Sequence, residues 1–310
     1  MSKSSLYPPS LLNRGLLAGA LTGVFWGLPF LAPQVLTHFG AVEIAFGRFF
    51  FFGLVSLFFF KRVFRIFLNL GLREWVSVLF LSASGFWFYS ALLFWGIQRT
   101  DGILSSLVLG MLPVTIPLFS PGSVREKRKA LPGISLIFLG LLLLFLVPVL
   151  QRQVRSEGGF FTLPGFAVLV LCLGLWTAYA IANGNFLKTH PQISGRDLSS
   201  VMGVVSLLAM LPWVASVSEP FTWWERPGFG MFVLVSLGLG AGSSWFANWL
   251  WNYCSTHVPA SIAGTLLVFE TLFGLIYSFG FERRWPLLHE GVAMVLCLAG
   301  VLWSVRSRTH

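Results

Sequence analysis

Charge is what this sequence has least of. Only 10% of its 310 residues are Asp, Glu, Lys or Arg, against about 25% in soluble globular domains. A chain of this length therefore cannot cover itself with a water-facing surface, which excludes a soluble enzyme, a nucleic-acid-binding domain and a disordered scaffold together. Cysteine is scarce too. Cys172, Cys254 and Cys297 all lie in or at the edge of apolar runs with no Cys-x-x-Cys spacing, so neither a disulfide framework nor a metal site is expected. The five histidines (His38, His190, His257, His289, His310) are scattered near segment ends without metal-ligand spacing. No nucleophile elbow, phosphate loop, carboxylate dyad or nucleotide-binding domain is present; no cofactor and no enzymatic activity are expected.

What is present is apolar mass: 56% hydrophobic residues, with 32 Phe, 13 Trp and 32 Gly. A helix crosses the hydrocarbon layer with about 20 mostly apolar residues. Runs of that kind fall at about 15–36, 42–60, 75–97, 102–120, 131–150, 163–186, 198–216, 229–253, 258–280 and 287–305. They are long and continuously apolar, without the alternation of a lipid-facing barrel strand. The expected fold class is an all-α polytopic membrane protein with ten transmembrane helices. The first run lacks a small-residue cleavage site and reads as an anchored span, not a signal peptide.

The net charge of +10 sits in the gaps between runs, where topology signals belong. Alternate gaps, including Lys61–Arg73, Arg125–Lys129, Lys188–Arg196 and both termini, hold fourteen Lys and Arg; the intervening gaps hold six, which leaves Arg48 inside a span. The positive-inside rule then puts both termini in the cytoplasm. No nucleic-acid partner is expected; the partners are the lipid bilayer, as an integral protein of a bacterial inner membrane, and a small-molecule substrate.

The second half echoes the first. Trp26 lies midway along run one and Trp176 midway along run six; Tyr89, Ala91, Trp95 and Thr100 are echoed by Trp245, Ala247, Trp251 and Thr256. Five runs per half is an odd number, so the halves, residues 1–150 and 151–310, are expected to be inverted repeats. Secondary transporters built this way bind substrate near the midplane between repeats.

These residues resemble the ten-helix EamA-type exporters of the drug/metabolite transporter superfamily. The resemblance is carried by Gly23 to Phe30 around Trp26-Gly27, by Arg48 followed by an apolar run, by Ala91 to Pro117 with its Pro113, and by Pro259 to Phe273 around Glu270. Thr271 stands where the family usually has proline, and Glu282, roughly matching the family's closing acid, is followed by Arg283 and Arg284. The resemblance implies an exporter or permease of small metabolites.

Candidate substrate-binding residues are Trp26, Arg48, Tyr89, Trp176, Tyr179, Asn183, Asn248, Asn252 and Glu270. A charge at the centre of a span costs at least ~2.5–3.5 kcal/mol on insertion scales, so Arg48 and Glu270 are expected to face a wet cavity or a partner. Glu270 is read as a proton exchanger, as the partner of a cationic substrate or of Arg48, or as a protonated acid bonded between helices. Ser244, Asn248 and Asn252 share one helix face and either bind substrate or cement the eighth and ninth spans. Mid-span Trp26, Trp87, Trp176 and Trp245 suggest a cavity wall for aromatic, amphipathic or cationic solutes. Gly15, Gly19, Gly23 and Gly27 lie four apart, as a sliding or a packing face; Gly238, Gly240 and Gly242 read as a locally unwound or a packed segment. The expected function is alternating-access transport, with export driven by the solute gradient or by proton exchange. A channel-like or non-transporting assembly and an intramembrane lipid-modifying enzyme are the alternatives.

Overall fold

Within hydrocarbon every backbone group must find its partner inside the chain, and the residues described here do so with helices; no strand occurs among them. The computed structural model describes residues 9–100, 102–121, 124–154, 163–217, 220–281 and 283–309. Glu282 and most of the junction between the two expected halves lie outside these residues. In chain order the helices are α1 Pro9–Trp26, α2 Ala32–Val35, α3 Ala41–Leu57, α4 Phe60–Asn69, α5 Leu72–Gly85, α6 Trp87–Arg99, α7 Gly102–Leu109 and α8 Leu112–Phe119. There follow α9 Val124–Val154, α10 Leu163–Thr189, α11 Gly195–Val217, α12 Phe229–Leu237, a π-helical stretch Gly238–Phe246, α13 Ala247–His257, α14 Ala260–Leu266, α15 Val268–Phe281 and α16 Leu288–Thr309.

Helices occupy all ten apolar runs, but among the described residues six stretches are long and apolar enough to cross a membrane, or seven if α3 and α4 are joined across their 94° bend. The remaining runs are helical as well, with local interruptions. The run at 102–120 is split into two eight-residue helices, with Pro113 in the first turn of α8. The runs at 131–150 and 287–305 fall on the long helices α9 and α16, of 31 and 22 residues. Beyond the bend, α4 carries Lys61, Arg62 and Arg65 on one side and Val63, Ile66 and Phe67 on the other. That is the pattern of a helix lying in the membrane interface.

Small residues decide how the helices meet. The α1 glycine row faces α13 to α15: a Cβ on Gly15 would meet Val258, on Gly19 Leu266 and Cys254, on Gly23 Phe269, and on Gly27 the backbone of Gly274. Gly133 of α9 and Gly300 of α16 press on each other's carbonyls. In the contact of α3 with α11, Gly53 meets Leu207 while Gly203 meets Phe52 and Ser56. Advancing along α3 means retreating along α11, so the two helices are antiparallel. Gly240 lets the π-helical stretch approach the backbone of Arg48 and Phe52. The stretch that read as unwound or packed is thus a widened helix packed on α3.

A Cβ at Gly23 would lie 2.5 Å from Phe269 Cβ and 2.7 Å from its carbonyl carbon, and backbone cannot yield as a side-chain tip can. Gly23→Leu is therefore expected to cost at least ~1–3 kcal/mol by overpacking and to lower the melting temperature or abolish the monodisperse peak in size-exclusion chromatography. Gly174→Leu, at a glycine with nothing within 4 Å of its Cβ position, is the control and should behave as wild type.

Candidate functional site

The helices converge on one central cavity. The end of α1 brings Trp26, and the turn after it brings Pro29. Arg48 comes from α3, Gly85, Phe86, Tyr89 and Leu93 from α5 and α6, Trp176 and Tyr179 from α10, and Glu270 from α15. Only about 20 Å³ is free between them, roughly the room of one ordered water. The cavity is contracted around its own side chains.

Arg48 is 5% exposed. Its Nε donates to Ser244 Oγ at 2.7 Å and its Nη1 to Ser90 Oγ at 3.3 Å. A guanidinium has five N–H donors, and two neutral hydroxyls leave it without a counter-charge. The break before α15 sets Glu270 in that helix's first turn, where the positive end of the helix dipole favours a carboxylate. Glu270 is 7% exposed and its Oε2 has no hydrogen-bond partner. Arg48 and Glu270 line the same space without forming an ion pair within 4.0 Å. A buried cation and a buried acid thus face one cavity, each with bonding capacity to spare.

Rings form the walls. Trp26 and Trp176 meet edge-to-face at 4.8 Å, Trp176 and Tyr179 at 5.0 Å, and Tyr179 and Phe86 at 5.5 Å; Trp251 tilts against Trp26 at 5.4 Å. Each contact restrains the next ring, so the box is stiff. The Trp26 indole N–H donates to the Ser243 carbonyl at 2.8 Å, inside the π-helical stretch, which also supplies Ser244. A π-helical insertion of this kind is often found at functional sites.

Of the nine sequence candidates, six (Trp26, Arg48, Tyr89, Trp176, Tyr179, Glu270) line this cavity. The three asparagines stand behind it. Tyr179 Oη donates to Asn248 Oδ1 at 2.8 Å, and Asn248 Nδ2 to Ser199 Oγ at 2.9 Å. Asn183 Nδ2 donates to Asn252 Oδ1, and Asn252 Nδ2 to the Gly195 carbonyl, both at 2.8 Å. This row ties α13 to α10 and α11, not to α15, and fixes Tyr179 from behind. Trp87 packs on Trp213, and Trp245 donates to Ser200 Oγ, both away from the cavity. Ser244, read from the sequence as part of the asparagine row, instead meets Arg48; Ser90 and Phe86 escaped the sequence reading because a serine or phenylalanine in an apolar run carries no signal of its own.

Ion pairs close both ends of the α3–α11 contact. At one end Glu43, which also accepts from the Gly40 N–H at 2.8 Å, holds Arg226 through both carboxylate oxygens at 2.9 Å. At the other, Asp197 holds Arg62 at 2.9 Å and accepts from Ser194 Oγ at 2.7 Å. The two acids occupy matching places, the third residue of α3 and of α11. The 17 residues of α3 separate the two pairs by roughly 25 Å. Capping spacing marks these acids in the sequence, Gly40 to Glu43 and Ser194 to Asp197; their arginine partners lie far along the chain and carry no such mark.

Comparison with known proteins gives a consistent picture. The model of the EamA-like transporter family matches residues 13–146 and again 163–306. The inner membrane protein YtfF of Escherichia coli K12 is 28% identical over 95% of each chain. An uncharacterized transporter of Bacillus subtilis, YyaM, is 23% identical over 73% of this chain and 72% of its own. A crystal structure at 15% identity superposes with a TM-score of 0.69 over 94% of this chain and 97% of that one, which shows a shared fold.

Proposed function

This chain belongs to the EamA-like transporter family and is an integral membrane transporter, and from that premise we propose that it exports small zwitterionic solutes with aromatic or otherwise bulky apolar side groups by alternating access. The observation that carries the reading is the central cavity, where Arg48 and Glu270 face one space between aromatic walls. A solute carboxylate suits the spare donors of Arg48, an ammonium suits Glu270, and an apolar side group suits the box of Trp26, Trp176, Tyr89 and Tyr179.

The moving parts are two inverted halves of five spans, residues 1–150 and 151–310. The double match of the family model, the antiparallel crossing of α3 and α11 and the matched ion pairs at their ends support this division. Opening one end breaks Glu43–Arg226, and opening the other breaks Arg62–Asp197. A proton and the solute ammonium compete for Glu270, which couples export to proton entry. The charge bias of the gaps supports cytoplasmic termini, and the YtfF relative, named an inner membrane protein, supports a bacterial inner membrane. A permanently open pore is disfavoured by a central cavity with only about 20 Å³ of free room.

Counterflow in proteoliposomes tests the proposal. Uptake of labelled amino acids with aromatic side chains is expected to saturate and to be driven by unlabelled solute on the opposite side. Trp176 packs on Trp26, Tyr89, Tyr179 and Trp251, and Trp176→Ala should weaken uptake about ten-fold, the ~1–1.5 kcal/mol of one ring face lost to the solute. Flux linear in concentration with no counterflow would assign a pore instead.

A further inference from the structure

A second, larger cleft opens at the end of the molecule that carries the Arg62–Asp197 pair. It holds about 580 Å³ and is lined by Arg62, Lys188, Arg196 and His257, with Trp249 and Tyr253 on its wall. Its volume falls within the range of small-molecule sites, and its charge is of one sign. No Asp or Glu lines it among the described residues; Asp197, close by, is turned to Arg62 and Ser194. Among the described residues Lys188 and Arg196 have no acidic partner, and Arg196 lies over the Phe59 ring at 5.5 Å.

The cleft sits where a headgroup would. Lys188 ends α10, Arg196 opens α11 and His257 ends α13, so two cations and an imidazole gather at one level at the helix ends. The interfacial helix α4, which carries Arg62, lies beside them. Trp249 is partly exposed along the apolar flank of α13, as an indole against lipid would be. The His257 ring stacks on Tyr253 at 4.2 Å and shares its Nδ1 with the Tyr253 carbonyl at 2.8 Å. That hydrogen bond makes Nδ1 the donor and turns Nε2 away from the helix.

We propose that this cleft is a binding site for a phosphate-bearing anion, presented by the headgroup of an anionic glycerophospholipid whose acyl chains lie along Trp249. Basic pockets between helices at the anionic leaflet bind such headgroups. The site is separate from the central cavity, sharing none of its lining residues.

The test uses the full-length protein in detergent, with thermal stability followed while phosphatidylglycerol, phosphatidylcholine or inorganic phosphate is added. Phosphatidylglycerol is expected to raise the melting temperature at concentrations where phosphatidylcholine does not. In the double variant Lys188→Gln/Arg196→Gln the half-maximal concentration should rise roughly ten- to thirty-fold, at about ten-fold or less per removed charge. Arg65→Gln/Arg73→Gln removes the same charge outside the cleft and should leave the midpoint at its wild-type value. Inorganic phosphate reproducing the shift with the same dependence on Lys188 and Arg196 would make free phosphate the source and overturn the lipid assignment. Equal effects of the two lipids, or an unchanged midpoint in the cleft variant, would overturn the site altogether.

Discussion

In vesicles whose lumen is one pH unit more acidic than the bath, wild-type protein is expected to concentrate its solute about ten-fold, and the Glu270→Gln variant merely to equilibrate it. One pH unit is worth about 1.4 kcal/mol per proton, a factor of ten in one-for-one exchange. The prediction follows from the state of the carboxylate. Glu270 is buried beside the cavity with an oxygen that no protein group satisfies, and an orphaned carboxylate is costly unless it takes a proton or a cation. Glutamine keeps the shape and takes neither, so downhill exchange survives while coupling disappears. The companion change Arg48→Lys keeps the charge but loses the planar fork, and should weaken solute binding about ten-fold with pH coupling intact. Size-exclusion profiles separate these effects from misfolding, and Glu270→Asp, which keeps an ionisable group, should retain part of the response. Wild-type accumulation by Glu270→Gln would remove Glu270 from the coupling step.

Breaking either terminal ion pair is expected to shift the protein toward a state open at that end. With Leu93→Cys as a reporter in the cavity wall, Glu43→Gln should speed labelling by an impermeant maleimide from the Glu43 end, and Asp197→Asn from the opposite end. Removing one partner of a buried pair costs ~3–5 kcal/mol, but solvent screens these, since Arg226 is 32% and Arg62 56% exposed. About 1–2 kcal/mol, a five- to thirty-fold change in labelling ratio, is the reasonable scale. The Glu43 variant should show the larger shift, because its pair is two-pronged and the less exposed. Both variants should slow turnover, since a carrier biased to one side returns slowly. Labelling that rises from the same end in both variants would defeat the assignment of the pairs as opposed closures.

Much of the architecture could be read before any coordinates. Hydropathy is a property of contiguous segments, so the apolar runs, the basic gaps and the isolated Arg48 and Glu270 stand out in the chain itself. Breaks within the runs were not legible in the same way. Pro113 starts a new helix within the run at 102–120, and the chain turns by 94° between α3 and α4, neither of which hydropathy registers. The amides illustrate a different limit. Asn183, Asn248 and Asn252 are as conspicuous in the sequence as Glu270, because every polar group at that depth needs a partner. Whether the partner is a solute or another helix depends on rotation about the helix axis and on what stands opposite.

The sequence alone determined that this is a helical membrane protein, which gaps are basic, and which two charges lie deep within it, for each follows from composition along a single segment. Only the tertiary structure decided that six of the nine candidates share a cavity while three asparagines brace it, and that Glu43 meets Arg226 and Arg62 meets Asp197. The reason is physical. Those relations join residues far apart in the chain, by 183 positions for Glu43 and Arg226 and by 69 for Tyr179 and Asn248, and they depend on helix rotation and close approach, which glycines such as Gly23, Gly53, Gly203 and Gly240 permit only in the folded bundle.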